Sequence, residues 1–578
     1  RTMATATASA GPGPPACATP SHQPKKDRKS LVWDFAIDRV GIRPFERKRE
    51  KEILRKLEED EPDHESKLYV TPIKSDVEGF KQPTFRAESA TWRATRRFLK
   101  LRGWKEWTPK DGGCWNLYWR ENRVQPFVIE RCFMNQRINK LRDTNGMTLK
   151  DELALGLREM VSRFGGIYQI SPNTWVLPEE EESFEDHLRL ESKKGNGNKS
   201  IYICKPARLS RGRNIFLFQT KKQLEKHIFD NGSYKHSRKK EIKEVEKWVI
   251  QSYLTNPFLI SGYKFDLRLY VLVSSVWPLK AFLYKRGLVR FATSKFDLSD
   301  STDLYAHLTN SSINKSSSTL NADKGVIGKG CKWRLQKLLK HLKEAGQDTD
   351  LLWQRIKTVV LLTLLPLVGN VAGDPASFEY FGFDVMLDSN LRPYVIEVNS
   401  GPAMSVNMEQ DKIVKIPMLD DMFNLLRLDE LPSLPLRPHR PKTRKVRPKK
   451  RTTGSDGKKL RGESEISEKS PEISGKSREE IGKVSGSAEI GEEEKSGEAR
   501  EGRKEMLDIP LDLSRKGDWD IVFPFHEKSK EDSESLANKF NAKKGKGAMP
   551  ETMQKLIDGF LMRTLDSIKA SYTTGKPW

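Results

Sequence analysis

The chain has 578 residues, enough for two or three domains. Its 103 lysines and arginines outnumber 79 aspartates and glutamates, and the net charge of +24 indicates a polyanionic partner such as nucleic acid, an anionic membrane surface or an acidic protein segment. The five cysteines lie far apart without a CxxC pair, which argues against a disulfide framework or a zinc module and fits a reducing compartment.

The N-terminal region, residues 1–84, is predicted to be a disordered and charged extension, because residues 1–30 are small, polar and proline-rich and a charged helical stretch follows. It shows no basic-then-apolar signal pattern. Aromatic-rich globular sequence extends from Phe85 to about Glu430. Its longest apolar run, "VVLLTLLPLV" at 359–368, is shorter than the roughly 20 residues of a membrane span. We therefore expect a core helix there, and a soluble intracellular protein.

Strands and helices alternate between residues 200 and 430. The segments "IYICKP", "NIFLF", "KWVIQSYL", "YKFDLRLYVLVSS", "PLKAFLYKRGLVRFA" and "EYFGFDVMLDSNLRPYVIEVN" predict strands. Residues 329–345 predict an amphipathic helix, because four leucines recur at helical spacing. This pattern is typical of an α+β or α/β enzyme and shows no internal repeat.

Two carboxylates and an amide interrupt the last pair of these strands. Asp384 lies within "FGFDVMLD", and after the turn "SNLRP" the next strand carries Glu397 and Asn399 on one face. A hairpin would bring Asp384 beside Glu397. Carboxylate and amide oxygens are hard ligands that suit Mg²⁺ better than zinc. The alternative is an acid pair held by lysines or backbone amides.

A charged face also marks the strand "YKFDLRLY". Lys264, Asp266 and Arg268 alternate there with apolar residues, so that one face is charged and the other apolar. A solvated sheet face explains this pattern, and a polyphosphate site explains it equally well.

Two further segments complete the set of polar motifs. Lys205 ends the strand "IYICKP" and precedes a basic loop with Gly212, an arrangement that can hold phosphates but is neither a Walker A motif nor GxGxxG. Arg290 follows in "GLVRFA", and residues 307–315 are rich in hydroxyl and amide groups, which also cap backbone in ordinary loops. We interpret His307 as a packed histidine rather than a catalytic base.

After Leu431 the composition changes, and residues 431–578 are predicted to be a mostly disordered tail. Between Arg437 and Arg461 it carries twelve lysines and arginines against one aspartate. A low-complexity Glu/Ser/Gly/Lys stretch follows, which cannot bury enough apolar surface to fold. The apolar segment "DWDIVFPFHE" and a helix predicted near 550–570 close the chain.

In this order, the motifs resemble the ATP-grasp ligases and, within them, the tubulin–tyrosine-ligase-like family. The resemblance rests on "YICKPARLSRGRNIFLF", "VIQSYLTNPFLISGYKFDLRLYVLV", "GLVRFATSKFDLS", "YAHLTNSSINK", "FEYFGFDVMLD" and "VIEVNSGPA" and covers about residues 85–430. "GGCWNLYWR" and "SPNTWVLPEE" also resemble the family's first domain, and "DIVFPFHE" adds to a likeness with its polyglutamylating members.

The resemblance implies an α+β fold: an ATP-grasp-type ligase core with an N-terminal family-specific α/β domain and disordered tails. We expect five parts, namely the extension 1–84, the N-terminal domain 85–197, the central ATP-grasp domain 198–279, the C-terminal ATP-grasp domain with the metal site 280–430, and the tail 431–578.

The resemblance also implies roles for individual residues. Those expected to bind ATP are Lys205, Arg211, Gly212, Gln251, Ser252, Tyr253, Leu254, Lys264, Asp266, Thr309 and Asn310. Those expected to act catalytically are Arg268 and Arg290; those expected to bind the amino-acid substrate are Arg290 and Lys415. The implied magnesium ligands are Asp384, Glu397 and Asn399.

Two turns depart from the family pattern. The loop commonly reads Arg-Gly-x-Gly, but Asn214 replaces the last glycine here; because asparagine tolerates positive φ, we expect little strain. The common ending EVN-x-SP is replaced by Ser400-Gly401-Pro402, which moves a hydroxyl by one position. "INKLRDTNGMTLKDEL" is a loose version of a motif in the family's first domain.

The implied activity is that of an ATP- and Mg²⁺-dependent carbon–nitrogen ligase. It would add free L-glutamate to glutamate side chains of acidic tubulin tails through an acyl phosphate, in the cytoplasm on microtubules, including those of the cilium or flagellum axoneme or basal body. An acidic partner explains the net charge and gives the basic run 437–461 a docking role. A nuclear-localisation signal or a solubilising linker is the alternative for that run.

Other functions stay open on the sequence alone. Glycine or tyrosine could be the donor, the acceptor could be another protein, or the core could be inert in a microtubule-binding adaptor. The acids Asp384 and Glu397 argue against an inert core, because buried carboxylates are costly without a cation. Only charge favours nucleic-acid binding, since no RNP-like, zinc-finger or helix-turn-helix signature is present. Initiation or elongation, α- or β-tubulin preference and partner subunits are undetermined.

Overall fold

A computed structural model describes residues 82–431, except 112–114, 134, 194–199, 231–246, 371–373 and 407, together with residues 511–574, except 525–526 and 543–550. Most of the predicted extension 1–84 and the whole basic run 437–461 lie outside the described residues.

The N-terminal part is a small parallel sheet in the order β2-β1-β3-β4. Its strands are β1 (Thr84–Ala87), β2 (Lys105–Glu106), β3 (Leu117–Trp119) and β4 (Arg137–Ile138), and its helices are α1 (Arg93–Leu101) and α2 (Pro126–Glu130). β3 is buried on both faces, as its aromatic and aliphatic side chains favour.

A second sheet is antiparallel, in the order β5-β8-β6-β7. Helices α3 (Asn145–Thr148) and α4 (Lys150–Phe164) precede it. The sheet contains β5 (Thr174–Leu177), β6 (Tyr202–Pro206), β7 (Phe216–Phe218) and β8 (Trp248–Ser252), with helices α5 (Glu181–Lys193) and α6 (Lys221–Asp230). Phe184 of α5 and Leu224 of α6 pack on Tyr202 and Trp248, so that both helices cover one face. On the other face, Ile203 and Leu217 pack with Leu308, and Lys205 and Gln251 line one wall of a cleft.

The third sheet has eight strands, and the long strand β10 (Tyr263–Val276) lies at its centre. Its other strands are β9 (Leu259–Ile260), β11 (Leu279–Tyr284), β12 (Leu288–Phe291), β13 (Lys332–Arg334), β14 (Glu379–Leu387), β15 (Pro393–Ser400) and β16 (Trp519–Phe523). The order is β13-β12-β10-β11-β16, while β14 joins β10 to β15 and β9 pairs with β10. Its helices are α7 (Leu304–His307), α8 (Ser311–Asn314), α9 (Leu335–Glu344), α10 (Thr349–Asn370), α11 (Glu409–Leu425), α12 (Glu527–Ala542) and α13 (Glu551–Thr574).

Alternation along β10 separates the core from the polar face. Leu267 and Leu269 point into a cluster with α10 and α13, whereas Tyr270 and Leu272 point to the other side, where α11 covers them. Helix α11 covers this face of β10 from Tyr270 onward. The residues of the same face that precede Tyr270 in the strand, including Asp266, remain available for a site.

Most local predictions are confirmed. The hairpin is β14 and β15 with Asp384 opposite Glu397, and "YKFDLRLYVLVSS" is β10. The apolar run 359–368 is a buried core segment of α10. Among the described helices, Thr349–Val368 of α10 is long and apolar enough to cross a membrane by length and composition alone. However, 72% of its most apolar part is buried inside the fold. The predicted helix 329–345 begins later, at Leu335, because Lys332–Arg334 pair as an edge strand.

The strands group across the predicted domain boundaries. β5 lies within the part predicted as 85–197 but pairs with β8 of the central sheet. β10 lies within the part predicted as 198–279 but pairs with β12 and β14 of the C-terminal sheet. Local sequence does not encode a strand's distant partner, so these boundaries could not be set from composition.

The prediction of a mostly disordered tail does not hold for residues 511–574. β16 pairs with β11 at the edge of the large sheet, and Trp519 is fully buried against Tyr284, with ring centroids 4.9 Å apart. Gly517 has φ +54° and leaves room for the Asp421 carboxylate, which accepts a hydrogen bond of 3.0 Å from the Asp518 amide. Arg515 and Glu430, on either side of residues 432–510, form a 2.5 Å ion pair.

We predict that Trp519→Ala lowers the free energy of unfolding of the full chain by about 3 to 5 kcal/mol, because it empties a fully buried aromatic site in the core. Chemical denaturation of the full chain measures this. The matched control is Leu513→Ala, an exposed residue of the same segment, which should change stability by no more than about 0.5 kcal/mol. Equal stability of both variants would contradict the docking of residues 511–574.

Candidate functional site

The register of the large sheet aligns charged residues from several strands on one face. Asp266 of β10 lies opposite Arg290 of β12. Arg268 of β10 lies opposite Asp384 of β14, which in turn faces Glu397 of β15. Directly opposed residues share a face, so the charged residues predicted from separate motifs converge.

Asp384 is held by two arginines. It accepts hydrogen bonds from Arg268 Nε at 2.5 Å and Nη2 at 3.1 Å, and Arg290 Nη2 lies 2.8 Å from its Oδ2. Burial alone would raise the pKa of Asp384, but the two guanidinium groups outweigh it and hold this pKa well below its usual range. Asp384 is therefore an anion whose position is fixed.

Asp266 is fixed in a similar way. It accepts hydrogen bonds from Arg290 Nε at 2.7 Å and from the Thr309 hydroxyl at 2.7 Å. Asp266 and Lys264 are only 6% and 2% exposed. The alternative of a solvated charged face therefore does not apply to this strand.

Glu397 has less compensation than Asp384. Its side chain is 27% exposed, its Oε1 accepts a 3.1 Å hydrogen bond from Asn399 Nδ2, and Lys150 Nζ lies 3.9 Å from its Oε2. Burial and the charge of Asp384 raise the pKa of Glu397. Such a shift indicates a carboxylate short of positive charge, which a divalent cation would supply.

The donor atoms of this group fit Mg²⁺. Asp384, Glu397 and Asn399 offer two carboxylates and an amide, all hard oxygen ligands. Within the described ranges no three acidic, histidine or cysteine side chains converge in a metal-binding cluster, so any ion here would need further oxygen ligands from a substrate or water. The alternative, an acid pair held by cations, describes Asp384, which two arginines contact. It describes Glu397 only weakly, because the nearest lysine nitrogen lies 3.9 Å away.

Two buried lysines border the same space from different sheets: Lys205 belongs to β6 of the second sheet, and Lys264 belongs to β10 of the large sheet, on the same face as Asp266. Lys205 Nζ donates to Gln251 Oε1 at 3.0 Å, and burial lowers its pKa to about 8, which the charge of Glu397 partly offsets. Lys264 Nζ donates to the Tyr253 hydroxyl at 2.7 Å and to the His307 carbonyl at 3.0 Å. Burial and then the charge of Lys205 lower the pKa of Lys264 to about 7.

These groups line one open cleft of about 830 Å³ between the second sheet and the large sheet. The predicted residues that line it are Lys205, Arg211, Gly212, Gln251, Ser252, Tyr253, Leu254, Lys264, Asp266, Arg290, Thr309, Asn310, Asp384 and Glu397. Arg268 contacts Asp384 without lining the cleft, and Asn399 lines an adjoining cleft with Glu397.

The loop after Lys205 has the backbone conformation that its sequence favours. Gly212 has φ +75°, and a Cβ there would lie 2.4 Å from Ile313 Cδ1, so this position requires glycine. Asn214 also has positive φ, at +54°, which confirms that asparagine takes the left-handed conformation in place of the family's second glycine.

Lys415 lies apart from the residues that line this cleft. Its Nζ donates to the Ser405 carbonyl at 2.7 Å and lies 3.0 Å from Asp411 Oδ1. Burial lowers its pKa to about 8, although Asp411 opposes the shift. The structure does not bring Lys415 into direct contact with the Asp384 group.

Sequence reasoning missed some residues of the cleft. Lys150, which ion-pairs with Glu397, is in the loosely matching motif "INKLRDTNGMTLKDEL", and only the packing of the preceding helix α3 against β15 shows its place. Phe296 stacks on Tyr253 at 6.3 Å between ring centroids. His307 is a buried, hydrogen-bonded histidine, as expected: its Nδ1 lies 2.9 Å from the Tyr253 hydroxyl, and burial lowers its pKa.

The cleft lies among mixed helices and sheets and is lined by lysines, arginines and carboxylates, an arrangement that an ATP-grasp-like ligase fold provides. The family model described as "Tubulin-tyrosine ligase family" matches residues 130–434, and the chain belongs to this family.

Relatives of similar sequence are polyglutamylases by name. The human "Probable tubulin polyglutamylase TTLL2" is 38% identical over 354 residues, 61% of this chain and 57% of that protein. The Mus musculus protein of the same name is 36% identical over 370 residues, 64% of this chain and 65% of its own length. "Tubulin polyglutamylase ttll6" of Danio rerio is 32% identical over 351 residues, 58% of this chain and 41% of that protein. The chain thus spans less than two thirds of the length of these relatives. The resemblance to the family and to its polyglutamylating members is confirmed.

We predict that the destabilising effect of Lys264→Met depends on pH. Because the pKa of Lys264 is about 7 when folded and near 10.5 when unfolded, the unfolded chain binds more protons between these values, and stability from this group rises with pH. Methionine removes the titration. Relative to the parent chain, the variant should therefore lose about 2 to 3 kcal/mol of stability between pH 6 and pH 9.

Denaturant titrations at the two pH values measure this difference. The control is Lys340→Met, whose side chain is 77% exposed and whose effect should be the same at both pH values. A pH-independent effect of Lys264→Met would show that Lys264 stays fully charged in the folded protein.

Proposed function

We propose that the chain is an ATP-dependent ligase that adds glutamate to side-chain carboxylates of glutamates in tubulin C-terminal tails. The observation that carries this proposal is the convergence of two buried lysines, Arg290, Asp384 and Glu397 on one cleft. Arg268 pairs with Asp384 and Asn399 donates a hydrogen bond to Glu397 beside it. The family membership and the names of the relatives support the reaction class and the acceptor.

ATP is proposed to occupy the cleft with its phosphates toward Lys205 and Lys264. Both ammonium groups lie in a poorly solvated environment that lowers their pKa values, so a polyphosphate would restore their full charge. The loop of Arg211 and Gly212 would add backbone amides and a guanidinium group. Residues 251–254 and Thr309 and Asn310, which also line the cleft, would contact the rest of the nucleotide.

Asp384, Glu397 and Asn399 would hold Mg²⁺, which when bound would screen the charge of the phosphates. The raised pKa of Glu397 is the feature that favours this assignment over a purely structural acid pair. Arg268 and Arg290 already neutralise Asp384, so their roles in the reaction would combine orientation of this carboxylate with stabilisation of charge on the transferred group.

The proposed reaction has two steps. The acceptor carboxylate attacks the γ-phosphorus of ATP, the bond to the β-phosphate oxygen breaks, and ADP and an acyl phosphate form. The deprotonated amine of the donor then attacks the acyl carbon, and the bond to phosphate breaks to give an amide and inorganic phosphate. Positioning and charge neutralisation are what this site would contribute. Arg290 and Lys415 would hold the donor.

A tubulin acceptor would place the protein in the cytoplasm on microtubules, including those of cilia, flagella or basal bodies. The net charge of +24 suits an acidic tail. The basic run 437–461 would strengthen docking by long-range attraction. Free L-glutamate is the proposed donor, and glycine and tyrosine are the donors against which it must be tested.

We predict that Glu397→Gln abolishes ligation while the folded state is retained. The change removes a ligand charge, and because burial and Asp384 already disfavour that charge, the free energy of unfolding should stay equal or rise. The assay combines protein, ATP, Mg²⁺, microtubules and each labelled amino acid, with intact-tail mass spectrometry. Glu344→Gln, at an exposed helical position, is the control with full activity. Retained activity in Glu397→Gln would remove the metal assignment, and no mass addition by the parent chain would favour an inert adaptor.

We further predict that deleting residues 432–461 weakens microtubule binding and flattens its dependence on salt, because twelve cationic side chains are removed from a polyanion contact. Co-sedimentation over a series of ionic strengths measures both quantities. Deletion of residues 462–491 is the control of equal length without a basic run. If the two deletions behave alike, the docking role of the basic run fails.

A further inference from the structure

A buried ion pair joins the small N-terminal sheet to the hairpin of β14 and β15. Ile138 of β4 forms a parallel bridge with Ser377, and two residues later in each segment Lys140 meets Glu379. Lys140 Nζ lies 2.8 Å from Glu379 Oε1, and the two side chains are only 2% and 1% exposed. Because Glu379 is the first residue of β14, this contact fixes the start of the strand that carries Asp384.

Ser400, the last residue of β15, closes this pair into a triangle. Lys140 Nζ donates to Ser400 Oγ at 3.0 Å, and Ser400 Oγ donates to Glu379 Oε1 at 2.6 Å. The other carboxylate oxygen of Glu379 accepts from the Leu141 amide at 3.1 Å. One ammonium group from the N-terminal part therefore ties both strands of the hairpin together at the same end.

The turn after Ser400 leaves the space that this ammonium group needs. Gly401 has φ +68°, and a Cβ there would lie 3.1 Å from Lys140 Nζ and 3.1 Å from the Glu121 carbonyl oxygen. A larger residue at position 401 would be strained and crowded. Lys140 belongs to the loosely matching motif "INKLRDTNGMTLKDEL", so this motif and the turn with the displaced hydroxyl, which both depart from the family pattern, are in direct contact.

The triangle acts on the proposed magnesium ligands through the backbone of β15. Side chains alternate along this strand, so Ser400 lies on the face opposite to that of Glu397 and Asn399. Asn399 Nδ2 donates to the Gly382 carbonyl at 3.3 Å and to Glu397 Oε1 at 3.1 Å, which leaves Asn399 Oδ1 as the atom that a cation would contact. Both hydrogen bonds depend on where the end of β15 lies, and Ser400 is the next residue.

We propose that Lys140 is a positioning residue for the magnesium site, because it fixes the end of β15 through Ser400 and Glu379 and thereby the places of Asn399 and Glu397. Lys140 is not itself a ligand, since an ammonium group has no lone pair to offer. Partners that orient metal ligands typically change metal affinity by about ten- to a hundredfold. This inference rests on the proposed function, which assigns the cation to this hairpin.

Two variants test the triangle without leaving a buried charge unpaired. Ser400→Ala removes the hydroxyl and keeps the ion pair. Lys140→Met combined with Glu379→Gln removes both charges together, which a buried pair tolerates better than the loss of one partner. The matched control is Ser533→Ala, because Ser533 is also a buried serine, whose Oγ accepts a 2.9 Å hydrogen bond from the Leu279 amide on a different strand of the large sheet.

The first measurement is binding of Mn²⁺, which takes the same oxygen ligands as Mg²⁺, to the full chain in the presence of ADP, followed by electron paramagnetic resonance. Calorimetric titration of ADP without a divalent cation, ligation rates over a series of Mg²⁺ concentrations and thermal unfolding accompany it. Together these separate an effect on the cation from an effect on the nucleotide or on the fold.

We expect the Kd for Mn²⁺ to rise about three- to tenfold in Ser400→Ala, the value of one hydrogen bond, and about ten- to a hundredfold in the double variant. Affinity for ADP without a cation should stay at the parent value, and excess Mg²⁺ should restore kcat. Ser533→Ala should bind Mn²⁺ as the parent chain does, even if its unfolding temperature falls.

An unchanged Kd for Mn²⁺ in both folded variants would overturn the proposal and leave the triangle a structural element. A loss of kcat that excess Mg²⁺ does not restore would overturn it as well. If the double variant does not fold, Ser400→Ala alone decides by the same two readouts. A parent chain that binds Mn²⁺ but adds no amino acid would instead overturn the ligase function, while the binding data still decide the role of Lys140.

Discussion

The buried carboxylate of Asp384 is the constraint on which the site depends. It lies in the middle of the large sheet, where an unpaired anion would cost several kcal/mol. Arg268 and Arg290 remove that cost from two neighbouring strands, and Asp266 in turn holds Arg290. Satisfying one buried charge has therefore fixed the side chains of three strands, and the cleft receives a set of groups whose positions do not depend on a ligand.

Asp384 and Glu397 are neutralised to different extents by nearby positive charges, and this difference determines what the site can bind. Asp384 has two guanidinium partners and a lowered pKa, while Glu397 opposite it has only a lysine at 3.9 Å and a raised pKa. Lys205 of the second sheet and Lys264 of the large sheet are cations whose charge burial disfavours. Glu397 is short of nearby positive charge and the two lysines are short of nearby negative charge, which together match a complex of a cation with a polyphosphate.

The local sequence pattern predicted many residues of this site but not all of them. Alternation in "YKFDLRLY" and the turn between Asp384 and Glu397 were sufficient to predict the strands, the hairpin and a common face, because these depend on residues close in sequence. Lys150 was missed because it reaches the site through a contact with a segment distant in sequence. The place of β16 was missed for the same reason: "DWDIVFPFHE" is visibly apolar, but its partner strand lies more than two hundred residues earlier.

Because Arg515 contacts Glu430, the sequence between these two residues connects two folded parts of the chain and is not a tail. Glu430 and Arg515, which flank residues 432–510 in the sequence, meet in the folded structure, so that segment joins two parts of one folded unit. The entropy of closing such a loop grows only with the logarithm of its length, and each doubling costs about 0.6 kcal/mol. Lineages could therefore lengthen, shorten or recharge this segment almost independently of the fold, and a single cleavage within it would leave β16 and the last two helices attached by their own contacts.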